Sequence, residues 1–560
     1  MSETSQHRLL ALSAILIALV LLLIGQLVRW QILSHILFVQ RARSVQSQPR
    51  EIEPHRGMIL DRKGHILSMD TFTYQVTGAP RWVKDLDEAA AELDTWLPQS
   101  KEELREILAG EALHAFLAKG LLPKAAEAVE ELDLDGIQIT PHAYRFYPEG
   151  SLAGHLLGFV NARGKGFGLE KYYHELLKGQ PGQRCAVWDP LDLLRDVPPK
   201  DGADLYLILD YMLQYQVEQE LARGVEEAGA EGGTAIVMDP RTGAVLAWAS
   251  HPGYEPNDFP ELASTDPQRF VDPAISKQYE PGSVVKILTM AAALDSGLVT
   301  PQSAMEDREA IEVGGHIIRN WDGKGHGLVS IVDVLALSLN VCTAQLSTQM
   351  GSRAFYGYLN AFGLGQRTGV DLSGEIAGRV KQPGDADWSE LELGMNSFGQ
   401  GVATTPLQLI AAVAAVANGG HLMRPYVVEA WVQGGKLERT KPTLVRQVIS
   451  LETAQQLSEM LVQVVQREAP SALVPGYRVA GKTGTAQIPI PGGYHPKDTI
   501  ASFVGYLPAE APRITILVKI DRPKSSPWGS DVAAPVFSRI AQRACRLLDI
   551  PPQDALLARR

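Results

Sequence analysis

GYRVAGKTGTAQ, residues 476–487, admits two folds. Its first eight residues match G-x-x-x-x-G-K-[ST], the loop that cradles nucleotide phosphates. That reading requires an apolar strand running into Gly476 and a helix opening at Lys482, so that helix amides face the phosphates. Upstream, REAPSALVP (467–475) is a Pro-interrupted loop. Downstream, TGTAQIPIPGG (483–493) places Gly484, Pro489 and Pro491 where the helix would have to continue, and these residues break helices. Residues 477–487 therefore read as an extended strand, and the nucleotide match is accidental.

Working outward, a strand at this point needs partners. SFVGYLP (502–508) and RITILVKID (513–521) follow it, and a helical pattern over 535–548 closes the chain. Far upstream, TAIVMD (234–239) and AVLAWAS (244–250) flank the turn at 240–243 and predict a β-hairpin. Between the two sets lies a mostly helical insert. One antiparallel sheet with an attached helical lobe is the natural assembly, an α+β class. Nearer the N-terminus, RGMILDRKGHILSM (56–69) predicts a hairpin turning at Asp61-Arg62-Lys63-Gly64. Helices are predicted over 87–96 and 101–119, then a glycine-rich section over 144–182, a strand over 204–210 and a helix over 212–227.

The chain has 560 residues, 45% apolar and 21% charged, with a net charge of −12. These are globular values for more than one domain, and the acidic balance argues against general nucleic-acid binding. Residues 9–28 carry no charge and are long enough to cross a bilayer. With no A-x-A site following, they predict an uncleaved anchor. Arg8 precedes the span, whereas Arg29, Arg41 and Arg43 follow it, a mild bias towards a cytoplasmic domain. Three cysteines, Cys185, Cys342 and Cys545, are too few for a disulfide framework; the last two sit in apolar helical patterns as core residues. The histidines show no metal-binding spacing, and no cofactor is called for.

Chemistry enters at YEPGSVVKILTMAAALDSG, 279–297. Pro281-Gly282 opens a helix and Gly297 ends it, so Ser283 and Lys286 share one face of the first turn. A serine hydroxyl needs a base within hydrogen-bond reach, and a lysine serves if burial or a neighbouring cation lowers its pKa. Alone, S-x-x-K is as readily a helix cap with a solvated lysine. Ser338-Leu339-Asn340 adds a hydroxyl for proton relay and an amide for a substrate carbonyl. Lys482-Thr483-Gly484-Thr485 adds a cationic edge strand with two hydroxyls, suited to an extended peptide ending in a carboxylate. Gly484 removes a side chain where backbones approach.

S-x-x-K, S-x-N and K-T-G in this order form the signature of penicillin-binding proteins and serine β-lactamases. The resemblance covers nearly the whole chain after the anchor. RGMILDRKGHIL (56–67) and residues 145–182 resemble the two N-terminal boxes of class B penicillin-binding proteins. MDPRTGAVLAWAS (238–250), SFGQGVATTPLQL (397–409) and ANGGHLMRP (417–425) resemble segments of their transpeptidase domain. SFGQG and GFVN are most similar to the cell-division (septal) type, against an elongation-type alternative.

The resemblance implies an anchor with a short cytoplasmic tail (1–34), a non-catalytic pedestal of dimerisation type (35–200) and an extracytoplasmic transpeptidase domain (201–560). It overrides the charge bias. Ser283 would attack the penultimate D-Ala carbonyl of a peptidoglycan stem peptide, and Lys286 would take its proton. Ser338 would relay a proton to the leaving D-Ala, and Asn340 would hold the substrate amide. Lys482, Thr483 and Thr485 would bind the terminal carboxylate, with Gly484 between them. The amides of Ser283 and Thr485 would form the oxyanion hole. β-Lactams would acylate the same serine. The implied partners are the membrane, a polytopic SEDS-type glycosyltransferase and other division or elongation proteins. Gln26, with Ser13, Ala18 and Gly25, offers a packing face for such a partner. No E-D-x-x-F glycosyltransferase motif precedes Ser283.

Other readings are a class A β-lactamase and a β-lactam sensor or inactive scaffold. Glu392 mimics the β-lactamase deacylating glutamate but runs straight into SFGQG. A sensor would need several spans. Glu170, Tyr172 and Tyr173 read as packing residues. NWDGKGHG (320–327) reads as a surface turn from which His326 could reach the cleft.

Overall fold

The computed structural model describes residues 3–34, 50–161, 164–184 and 197–552; Cys185, Arg41 and Arg43 lie outside them. A helix over Glu3–Val28 continues as a π-helical turn over Arg29–Leu33. Within it Leu10–Ile32 is long and apolar enough to cross a membrane.

Two compact units divide the chain. One comprises 1–56 and 178–202, the other 57–177 and 203–560. In the first, Arg50–Ile52 pairs with Gly182–Arg184.

The second unit is built on a five-stranded antiparallel sheet. Ala480–Ile490 is its edge, followed in space by Gly493–Leu507, Ile514–Asp521, Gly232–Met238 and Val245–His251. All five expected strands are present. They read as nearly continuous apolar runs because both faces of the sheet are covered. Side chains alternate between faces, and the burial follows that period: Ile236, Met238, Leu517, Val504 and Tyr506 enter one core. Their neighbours Ala235, Val237, Ile516, Val518, Phe503 and Leu507 enter the other.

Helices Tyr211–Ala228 and Gly529–Leu547 pack on one face, and Pro406–Ala417 and Leu451–Glu468 contact the other. Asp210 caps the first of these, accepting from the amides of Met212 (3.1 Å) and Leu213 (3.2 Å). Gly229 ends it in the left-handed conformation, φ +57°, the usual helix stop. The insert between the strand sets carries most of the remaining helices, with small two-stranded ribbons at Ala304–Asp307/Gly327–Ser330 and Ala310–Val313/His316–Arg319.

The hairpin at Asp61 forms as expected, between Ile59–Leu60 and Ile66–Gly78. Asp61 Oδ1 accepts from the amides of Lys63 (2.7 Å) and His65 (2.9 Å). Ile59–Leu60 pairs in parallel with Asp204–Leu207, so the N-terminal hairpin shares a sheet with a strand nearly 150 residues further along the chain. Two helix expectations are corrected. The helix over 101–119 is Lys101–Leu108 only, and Ala115–Leu121 is a strand paired with Ile66–Gly78. The last helix starts at Gly529, not 535, with Pro535 inside it.

Candidate active site

Ser283 lies in a 3-10 turn, Gly282–Val285, that runs into the helix Lys286–Asp295. Ser338 occupies the junction between helices Ile331–Ala336 and Asn340–Met350. It holds φ at +56°, a conformation costing a non-glycine residue of order 1 kcal/mol or more. A Ser330–Asp333 capping box fixes the first helix of this junction. Lys482, Thr483, Gly484 and Thr485 lie on the edge strand Ala480–Ile490, with no helix opening at Lys482. The phosphate-loop reading is thereby excluded.

Three segments far apart in the chain thus meet. Ser283, Ser338, Asn340, Lys482, Thr483 and Thr485 all line one cleft of about 910 Å³. Lys286 is fully buried beneath it. Its Nζ donates to the Ser338 carbonyl oxygen (2.6 Å), Ser338 Oγ (3.1 Å) and Asn340 Oδ1 (2.7 Å). Ser338 Oγ in turn donates to Ser283 Oγ at 2.9 Å.

The direct Ser283–Lys286 hydrogen bond that the shared helical face predicts is absent among the described residues. Three acceptors on the S-x-N junction draw the amine away, and the link to Ser283 runs through Ser338 Oγ. Asn340 Nδ2 is committed to the carbonyl of Arg319 at 3.2 Å.

The electrostatics fit a basic amine. Burial, aided by the positive charge of Lys482, pushes Lys286 well below its ordinary pKa. Lys482 is itself buried and is drawn down to about 8, while the Glu468 carboxylate pulls the other way. Lys482 Nζ donates to Thr483 Oγ1 at 3.3 Å. Thr485 Oγ1 accepts from the Gly529 amide at 3.2 Å. Together the groups can deprotonate a serine and hold an anion alongside an extended chain.

Close backbone approach explains Gly484. A Cβ there would lie 2.5 Å from Ser502 Oγ and 2.8 Å from the Pro281 carbonyl oxygen. Gly399, within SFGQG, is the counterpart on the far side. It has φ +82°, and its Cβ would fall 2.2 Å from the Gly282 oxygen.

Residue-level reading missed several members of the cleft. Phe398 lies with its ring centroid 5.9 Å from Lys286 Nζ. Trp321 and Trp528 both line the cleft, with ring centroids 5.4 Å apart at 69°. Trp321 sits in the stretch taken for a surface turn, and no local signal aims it inward. His326 bonds Asp322 at 3.1 Å and does not line the cleft. Nor does Glu392, whose Oε1 accepts from Lys381 at 2.8 Å. Glu170 is buried and accepts from Arg145 at 2.6 Å, a packing role as read. Cys342 and Cys545 are buried and free.

Comparisons with known proteins converge on one family. Residues 233–542 match the penicillin binding protein transpeptidase domain, and residues 51–207 the penicillin-binding protein dimerisation domain. The chain is 34% identical to stage V sporulation protein D of Bacillus subtilis, over 91% of this chain and 81% of that protein. It is 31% identical to peptidoglycan D,D-transpeptidase FtsI of Escherichia coli, over 97% of this chain and 92% of that one. Penicillin-binding protein 3 of Mycobacterium tuberculosis, solved with aztreonam, superposes with a TM-score of 0.70 at 29% identity. That match covers 90% of this chain and 98% of the other. With both domains matched and the three motifs gathered in one cleft, the chain belongs to the class B penicillin-binding proteins.

Proposed function

We propose that this chain is a serine D,D-transpeptidase that cross-links peptidoglycan stem peptides, acts at the septum and is a target of β-lactams. The observation that carries the proposal is the chain of groups from Ser283 Oγ through Ser338 Oγ to the low-pKa amine of Lys286, at a cleft that Lys482 also lines. Ser283 Oγ attacks the penultimate D-Ala carbonyl carbon, and its proton passes through Ser338 to Lys286. The amides of Ser283 and Thr485 stabilise the oxyanion, a contribution of about 3 kcal/mol per donor in such sites. Lys482, Thr483 and Thr485 hold the terminal carboxylate. Collapse breaks the peptide C–N bond, and the proton returns through Ser338 to the leaving D-Ala. An amine from a neighbouring stem then attacks the ester carbon, releasing Ser283.

Residues 35–200 are taken as the pedestal and 201–560 as the transpeptidase domain. The apolar helix anchors the chain with its N-terminus inside and the cleft outside the cytoplasmic membrane, beside a SEDS-type glycosyltransferase. The motifs SFGQG and GFVN support the septal role, with an elongation role as the alternative. Depletion in cells distinguishes the two: filaments accord with septal work, and rounded cells overturn it.

Intact mass after incubation with a penicillin, beside Ser283→Ala, tests the chemistry. A single lasting adduct, absent in the variant, is expected. Rapid drug loss without an adduct would make the chain a β-lactamase. A folded protein with neither would make it a scaffold.

A further inference from the structure

The transpeptidase reading requires two substrates of opposite charge in one cleft. The donor stem ends in a carboxylate, which the cationic strand accommodates. The acceptor brings an amine that is protonated near neutral pH and so enters as a cation. By microscopic reversibility its nitrogen must occupy the position that the leaving D-Ala nitrogen vacates.

Among the charged residues described as lining the cleft, only one has the sign to attract that cation. Arg319, Lys482 and Lys497 are positive, and Glu468 is the one carboxylate among them. Glu468 is exposed to solvent and ends the helix Leu451–Glu468. A carboxylate at a helix C-terminus is locally unfavourable, because the last carbonyls already carry partial negative charge. Its neighbour Arg467 does not neutralise it, since that guanidinium is drawn to Asp333 at 2.9 Å. No ion pair among the described residues engages Glu468. Its charge nevertheless reaches the cleft interior, where it acts on Lys482.

We propose that Glu468, together with the helix end it terminates, receives the ammonium group of the acceptor stem peptide beside the acylated Ser283. The inference rests on the transpeptidase reading and adds a second-substrate site to it. The ammonium sheds one proton to solvent at this exposed position. The amine nitrogen then attacks the ester carbon, forming the C–N bond and breaking the bond to Ser283 Oγ. The second amine proton passes through Ser338 to Ser283 Oγ.

The test uses the full chain with a thioester of an N-acyl-D-alanine as donor. D-Alanine and D-lactate serve as acceptors. Both carry a carboxylate, but only D-alanine carries an ammonium. Glu468→Gln is expected to raise KM for D-alanine about tenfold relative to KM for D-lactate, with acylation by penicillin measured beside them as the readout of Lys482, and Glu468→Asp to recover part of the loss. An unchanged KM for D-alanine would overturn the inference, as would equal losses with both acceptors. A fall in penicillin acylation as large as the loss of transfer to D-alanine would also overturn it, because the whole effect would then run through Lys482. Wild-type protein that acylates but never transfers to D-alanine would count against the inference alone. Failure to acylate at all would remove the transpeptidase reading beneath it.

Discussion

At the scale of single residues, the path of the proton is the point on which the geometry is most specific. Because, among the described residues, Lys286 is linked to Ser283 through Ser338 Oγ, the proposed mechanism requires Ser338 to form the acyl-enzyme as well as to resolve it. General-base paths of this kind contribute roughly 10²- to 10⁴-fold. Ser338→Ala should therefore slow acylation by penicillin at least about a hundredfold, measured by stopped-flow, with the melting temperature little changed. A normal acylation rate with only transfer impaired would mean that Lys286 swings to Ser283 directly. The types and order of these residues were legible in the sequence, since S-x-x-K, S-x-N and K-T-G name them outright. Their hydrogen bonds were not. Helical spacing places Ser283 and Lys286 on one face, but the direction of a long, flexible amine is decided by acceptors that tertiary folding brings to it. Glu468 and Trp321 were invisible for the same reason, as neither belongs to a local pattern.

At the scale of elements, the edge strand and the turn bearing Ser283 are held apart by the width of a glycine. In Gly484→Ala the added methyl meets Ser502 Oγ and the Pro281 carbonyl well inside contact distance. Overpacking of this kind costs about 1–3 kcal/mol. Relief by separation of the strand from the turn would spoil the oxyanion geometry. The variant should stay folded, melt a few degrees lower and acylate at least about tenfold more slowly; wild-type acylation would show that the two segments tolerate separation. Elements with strong periodicity or clear turns were readable: the hairpin around residues 240–243, the strands after 500, and the helix capped by Asp210. The segment Ala115–Leu121 was not. A seven-residue run of mixed apolar and polar residues satisfies strand and helix periods alike, and its pairing with Ile66–Gly78 decides the outcome. Likewise the final helix begins at Gly529 because that glycine fits against the carbonyl oxygens of Ser502 and Gly484, a contact no local rule anticipates.

At the scale of the whole molecule, residues 57–177 and 203–560 form one compact unit. Glu218 is one of the joints. Its Oε1 accepts from the Ala153 amide (2.7 Å) and from Gln214 Nε2 (2.7 Å). Burial outweighs these bonds and raises the carboxyl to about 7. A carboxyl whose folded pKa lies above its unfolded value near 4.5 favours the folded state at low pH and loses that contribution as pH rises through about 7. Melting temperature should therefore fall between pH 5 and 8, and Glu218→Gln should flatten that slope; an unchanged slope would place the titration elsewhere. The order of strands in the central sheet bears on a different matter, the birth of the protein. Gly232–Met238 is made before its inner neighbour, Ile514–Asp521, and waits for it while residues 239–513 are synthesised. Until then the nascent hairpin presents an open, apolar edge on which another chain could template itself. Polypeptides cut short before residue 514 should therefore accumulate as aggregates, and the cell has reason to guard this chain until Ile514–Asp521 has emerged.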